Sequence, residues 1–224
     1  MQSTLVRFNG VILWFFYHFS YFCSMPNNKN LDALKANLKS FLPLSDEQLE
    51  VWLEDASFRS FKKDDFILRN GEIERYLNIV INGLTRHYII NPKGEEMNFD
   101  FSFPYEYSFA FGSFINQQPT KFFIQAMTDV TLISIPREKI QALYEAYPNS
   151  NVFGRISAEQ YYLWREEREL ALQTLTPDER YRWLLENHPK YLKEIPLKHI
   201  ASFLNLTPET LSRVRKRFVR KREI

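Results

Sequence analysis

The stretch LTPETLSRVRKRF, residues 206–218, decides how the chain is read. Thr207 is a favourable N-cap, and Pro208 stands at the first helical position, where a missing N–H costs nothing. Leu211, Val214 and Phe218 recur at i, i+3 and i+7, so one face of the helix is apolar. Winding at about 100° per residue puts Glu209, Ser212, Arg213, Lys216 and Arg220 on the opposite face. A solvated surface helix would share this pattern; the residues upstream argue against that reading.

Those residues are IPLKHIASFLN, 195–205. Leu197, Ile200, Ala201 and Leu204 predict a short helix with one apolar face, and Ala201 is small where a second helix must pass close. Asn205 falls in the connection, and asparagine tolerates the left-handed conformation. Two short helices joined tightly, the second one cationic, predict a helix-turn-helix. Residues 189–224 hold ten basic and three acidic side chains, a net of +7 in a chain of net +2, so the remainder carries −5. An acidic body with a basic tip is the charge pattern of a reader of phosphate backbones.

The rest of the chain supplies the body. At 224 residues, 45% of them hydrophobic, there is material for one large or two modest cores. The single cysteine, Cys23, excludes a disulfide framework, a cysteine-ligated zinc finger and a four-cysteine iron–sulfur cluster, and suits a reducing cytoplasm. Residues 11–22 are apolar and aromatic but far shorter than the about 20 residues a bilayer-spanning helix needs; they allow an anchor, less readily a signal peptide, while Met25 as the true start makes residues 1–24 a non-native extension. Leu34, Leu38, Phe41 and Leu42 predict a short helix, and Ser45 with Gln48 resembles a capping box opening a second. Short β-rich runs follow at 66–68, 76–81, 84–90, 97–101, 122–127 and 130–135, broken by Asn70-Gly71, Asn82-Gly83, Pro92-Lys93-Gly94 and Asp129. They predict an antiparallel sandwich or barrel. A short helix over 137–147 closes this region.

A long helix is predicted over 149–175. Phe153, Ile156, Gln160, Leu163, Glu167, Leu170 and Thr174 recur at alternating steps of three and four, a heptad seam suited to dimerisation. The same helix could instead lie on its own β domain, with Tyr161 and Trp164 serving either arrangement. Thr176-Pro177 then breaks it and starts another through Tyr181, Leu184 and Leu185.

Short helices, a β-roll, a long helix and a helix-turn-helix, in that order over residues 31–218, resemble the Crp/Fnr family of bacterial transcription regulators. PETLSR, residues 208–213, beside LKHIASFLN is the closest motif. The resemblance implies an α+β fold: a β-roll sensor domain of jelly-roll type (25–148), a dimerisation helix (149–175) and a winged helix-turn-helix domain (176–224). It implies double-stranded DNA, a second copy of the chain and a small-molecule effector as partners, with RNA polymerase a further candidate. In the family a Glu and an Arg four residues apart touch base edges; here they are Glu209 and Arg213, and arginine suits guanine O6 and N7 as glutamate suits cytosine N4. The expected DNA side chains are Thr207, Glu209, Thr210, Ser212, Arg213, Lys216, Arg217 and Arg220. Pro208 stands where the family often carries a basic residue, and with the sequence ending at Ile224 little of the β-wing is left.

Cyclic-nucleotide members hold the ribose with a Gly-Glu-Leu stretch and the cyclic phosphate with an Arg-Ser pair. Here Phe109-Ala110-Phe111 replaces the first, and no arginine occurs between 107 and 123, where Lys121 is the nearest cation. Without a bidentate clamp, cAMP is not the expected effector. Phe109, Ala110, Phe111, Thr120, Lys121 and Phe122 are the candidate effector residues; the aromatics among them, with Phe114 and Phe123, either fill the roll or line an apolar pocket. No cofactor, metal or catalytic residue is expected: the four histidines lack ligand spacing, and neither a phosphate loop nor a nucleophile elbow occurs. The rival reading is a ligand-binding or scaffold protein with a degenerate DNA-binding domain.

Overall fold

The computed structural model describes residues 35, 36, 39 and 45–222. The extension 1–24 and the helix expected through Leu34, Leu38, Phe41 and Leu42 lie outside them, as do the side chains of Gln48, Phe153 and Arg220. The described elements begin with α1 (Asp46–Leu53), β1 (Ser57–Phe61), β2 (Phe66–Leu68), β3 (Tyr76–Asn82), β4 (Thr85–Ile90) and β5 (Glu96–Ser102). A short helix, α2 (Phe111–Asn116), precedes β6 (Phe123–Ala126) and β7 (Val130–Pro136). Helices α3 (Arg137–Ala146), α4 (Pro148–Thr174), α5 (Pro177–Asn187), α6 (Pro189–Glu194), α7 (Leu197–Phe203) and α8 (Pro208–Arg222) complete the chain.

Two antiparallel sheets, in the orders β1-β7-β3 and β2-β6-β4-β5, form the roll. Strand β7 is buried on both faces. Val130 and Leu132 pack with Val80 against Ile67, Leu68, Ile124 and Ala126 of the other sheet. Ile133 and Ile135 turn the other way, onto Leu49 of α1 and Ile140 and Leu143 of α3. A third core is of a different kind: Leu84, Phe101 and Phe103 of the roll pack with Tyr181, Leu184, Tyr191, Ile200, Phe203 and Leu204 of the C-terminal helices. The cationic segment is therefore docked on the β5 side of the roll.

Local chemistry sets the helix boundaries. Thr176 and Glu179 cap each other reciprocally at the start of α5. Asn205 adopts φ 54°, with its N–H on the Ser202 carbonyl (3.0 Å) and that of Leu206 on Ala201 (2.8 Å). This is a Schellman end with asparagine in the left-handed position, as the sequence requires. The hydroxyl of Thr207 then accepts from Thr210 N–H (3.2 Å) and opens α8.

Strand β1 and helix α2 were not expected. SFRSF in β1 sets Phe58 and Phe61 three positions apart, on opposite faces of an edge strand, and α2 is under two turns long. Leu197 also differs: it is exposed, and Phe203 is fully buried, because α7 packs between β5 and α8 and its apolar band turns accordingly.

Gly83 has φ +92°, and a Cβ there would run into the carbonyl oxygen of Asp129 and the hydroxyl of Thr128. Gly94 has φ +82° with nothing nearby. In urea unfolding, Gly83→Ala should therefore cost well over about 2 kcal/mol and Gly94→Ala only about 1 kcal/mol. Equal losses would mean that backbone conformation alone governs both sites.

Candidate nucleic-acid interface and sensor site

Helix α8 presents two faces of opposite chemistry. Leu211 and Val214 are buried and Phe218 is half-buried, its ring against Tyr181 at 5.1 Å. Thr207, Glu209, Ser212, Arg213, Arg215 and Lys216 are exposed. The guanidinium of Arg213 donates to the Thr210 hydroxyl (3.2 Å), which holds the side chain near the helix start. Hydrogen bonds from its own N–H and the Thr207 hydroxyl, with help from Arg213, keep the Glu209 carboxyl below the usual carboxylate range. It is ionised at neutral pH.

Arg217 is placed otherwise than its neighbours. It turns back onto Asp178 of α5 through three contacts of 2.6–3.0 Å. Its charge is matched within the chain, so it braces α8 against α5. Sequence spacing could not show this, since the partners stand 39 positions apart.

The sensor candidates fall into two groups. Phe109 packs edge-on to Phe111 (5.9 Å) and Phe114 (5.3 Å), and Phe111 meets Tyr161 of α4 (5.9 Å). Phe122 lies elsewhere, stacked on His87 (6.0 Å) and edge-on to Phe99 (4.9 Å). Arg165 of α4 joins them, over Phe99 at 5.6 Å and Tyr161 at 5.9 Å. Ala110 is fully buried, Thr120 is buried with its N–H on the Glu72 carbonyl (2.8 Å), and Lys121 is exposed.

The start of α2 has a further occupant that the sequence did not reveal. Glu74, 2% exposed, accepts from Tyr76 N–H (3.1 Å) and Ala110 N–H (3.2 Å). Burial pushes its carboxyl up, although these backbone bonds oppose that. A carboxyl group thus already holds the amide at this helix start, and an incoming anion would meet it.

Sequence reasoning also missed His87, Phe99 and Asp100. His87 is buried between Phe99 and Phe122, with Nε2 3.3 Å from the hydroxyls of Ser102 and Ser108. Burial, then the nearby Arg165 charge, lowers its pKa to about 3, so it is a neutral core histidine. Asp100, paired with His87 across the sheet, is half-buried, and its carboxyl accepts from Phe101 N–H (2.8 Å). Burial first, then Glu106, raises its pKa to about 7, against the opposing Phe101 N–H bond and the charges of Arg168 and Arg165. Strand alternation was the available signal for His87, but its meeting with Phe99 depends on a β-bulge that spacing does not show.

These features define a class of protein: a β-roll of cyclic-nucleotide-binding type carrying a C-terminal helical segment with a cationic last helix. Residues 58–147 match the family model of the cyclic nucleotide-binding domain. In fold, the described residues resemble Crp/Fnr structures. FixK2 from Bradyrhizobium japonicum superposes with TM-score 0.64 at 20% identity, over 74% of this chain and 85% of that one. CLP from Xanthomonas campestris, a c-di-GMP responsive global regulator, gives 0.63 at 17%, over 79% and 93%. The catabolite activator protein of Thermus thermophilus gives 0.51 at 21%, over 81% and 86%. No curated protein matches the sequence.

Asp100 carries a pH signature. Its folded pKa of about 7 exceeds the unfolded 3.8, so ionisation opposes folding: the penalty is absent below about pH 4 and complete above about pH 7. Asp100→Asn should therefore gain about 2 kcal/mol over wild type at pH 8, and the gain should vanish near pH 4. Urea unfolding at the two pH values checks this; a pH-independent difference would show that the carboxyl is solvated.

Proposed function

We propose that the chain is a DNA-binding transcription regulator of Crp/Fnr type, acting as a dimer under the control of an effector other than cAMP. The observation that carries this reading is the α8 helix. Its Leu211–Val214 side is buried in its own chain, and its Glu209–Arg213–Lys216 side is left to solvent. Entry of the helix start into a major groove would set Arg213 and Glu209 at base edges. Lys216, a turn further on, would lie toward the backbone, with Thr207, Thr210 and Ser212 as polar neighbours and Arg220 continuing the face.

Dimerisation would use α4. Ile156, Leu163 and Leu170 are 37%, 52% and 54% exposed on one seam, an apolar stripe that gains most from burial against a copy of itself. A two-fold pair of chains would present two α8 helices to two half-sites. cAMP is disfavoured as effector because no arginine occurs between 107 and 123 to clamp its phosphate, and Glu74 already holds the Ala110 amide. The two aromatic groups around Phe111 and Phe122, joined by Arg165, favour a largely apolar ligand.

Binding to operator and random duplexes across a salt series tests the DNA reading. Arg213→Ala should cost about 1–3 kcal/mol on operator and relax discrimination at one base pair per half-site. Lys216→Ala should weaken all duplexes alike and lower the salt slope by about one. If Arg213→Ala loses operator and random DNA equally, α8 is only a charged patch.

The dimer is tested separately by sedimentation. Wild type should be dimeric at micromolar concentration, and Leu163→Lys/Leu170→Lys monomeric, with the unfolding free energy per chain little changed. A monomeric wild type would overturn the assignment of the seam.

A further inference from the structure

The α4 seam holds two kinds of position. Ile156, Leu163 and Leu170 form an apolar row, and Gln160, Glu167 and Thr174 alternate with them as a polar row at steps of three and four. Two of the three polar side chains are already engaged within the chain. The Thr174 hydroxyl donates back to the Leu170 carbonyl (2.7 Å). Glu167 accepts from the indole Nε1–H of Trp183 in α5 (2.9 Å), 16 positions away. That indole is itself fixed, half-buried against the third core and edge-on to His188 at 5.3 Å. Gln160 is half-buried and has no hydrogen-bond partner among the described residues.

The ways of pairing this face with a copy differ in what each row meets. In a parallel, in-register pair every position faces itself, so leucine meets leucine and Gln160 meets its own copy. A side-chain amide carries both donor and acceptor, and two of them related by a two-fold axis satisfy each other. Two carboxylates cannot, and Glu167 would face its own copy between the Leu163 and Leu170 layers. In an antiparallel pair the rows cross. The Gln160 amide would then lie against leucine and lose its bonds to water without replacement.

We infer that the seam takes a second copy of this chain in parallel register, specified by Gln160, and that Trp183 is a positioning residue that draws the Glu167 carboxylate aside so that the copies can close. One polar layer in an apolar seam fixes register and partner at a cost in affinity. The self-complementary amide is the layer that stays, and the carboxylate, which repels its copy, is the one withdrawn by the indole. That α4 pairs at all rests on the proposed function; the roles of Gln160 and Trp183 go beyond it.

Cross-linking and sedimentation of the full chain test both roles. With Cys23→Ser removing the one other thiol, Gln160→Cys should form a disulfide-linked dimer on mild oxidation, because a position that faces itself brings two thiols within bonding reach. Glu169→Cys, on the opposite side of α4, should not. Gln160→Leu should tighten the dimer about tenfold and Gln160→Glu should weaken it about tenfold. Trp183→Phe, which keeps a ring in the core, should weaken the dimer about fivefold, and this loss should disappear in a Glu167→Gln background. If wild type is dimeric but Gln160→Cys fails to cross-link, the pairing is not parallel and in register. If Trp183→Phe costs the same in both backgrounds, the indole only packs. Either result overturns the inference and leaves the dimer standing, whereas a monomeric wild type removes the dimer itself.

Discussion

Because Arg86 and Asn98 face α7 while His87 and Phe99 face the interior, this part of β4 and β5 has little surface left for water. Polar groups there must find partners inside the protein or cost about 1–3 kcal/mol each. Arg86 therefore takes Glu96, Gln125 and His199; His87 takes Ser102 and Ser108. The helical segment consequently does not hang from the roll by α4 alone. It completes the sheet, and the sheet fixes where it sits.

That constraint also explains the state of His199. Two donors converge on Nδ1, so this nitrogen must be an acceptor, and a proton on it would face the Arg86 charge across 3.3 Å. Burial, then Arg86, accordingly lowers its pKa to about 4. Around His199 the contact between roll and helices is built from neutral histidine, amide and hydroxyl groups beside the Arg86–Glu96 pair, and a second ion pair, Lys190–Glu106, joins α6 to the roll.

What could be read from the sequence was what local chemistry determines. The Thr207-Pro208 start, the left-handed Asn205, the Thr176–Glu179 box and the buried Leu211–Val214 register each depend on residues within a few positions of one another. Strand β1 escaped because Phe58 faces solvent while Arg59 shares the half-buried face with Phe61, which breaks the period of two, and α2 because six residues hold too little periodicity. In the sensor region, spacing supplied Phe109, Phe111 and Phe122, but not the sheet pairing that brings His87, Phe99 and Asp100 to them. Glu74 was invisible for the same reason, since it caps a helix 36 residues away. The heptad spacing named Ile156, Leu163 and Leu170, which are exposed, but could not show that Trp164 and Ala171 are drawn toward the chain's own core.

Helix α4 therefore has two sides to satisfy, and Arg168 stands where they meet. Burial lowers its pKa to about 10, against the opposing pull of the Asp100 carboxylate. Its guanidinium spans the Asn98 and Phe203 carbonyls and lies over the Phe203 ring at 4.4 Å, yet its Nε has no partner among the described residues. A buried network with one donor unmatched has less holding it than a complete one. The same cation touches the roll, the α7–α8 pair and the helix that carries the apolar seam. Motion of any one of the three must therefore be accommodated at Arg168, where the roll, α4 and the α7–α8 pair meet.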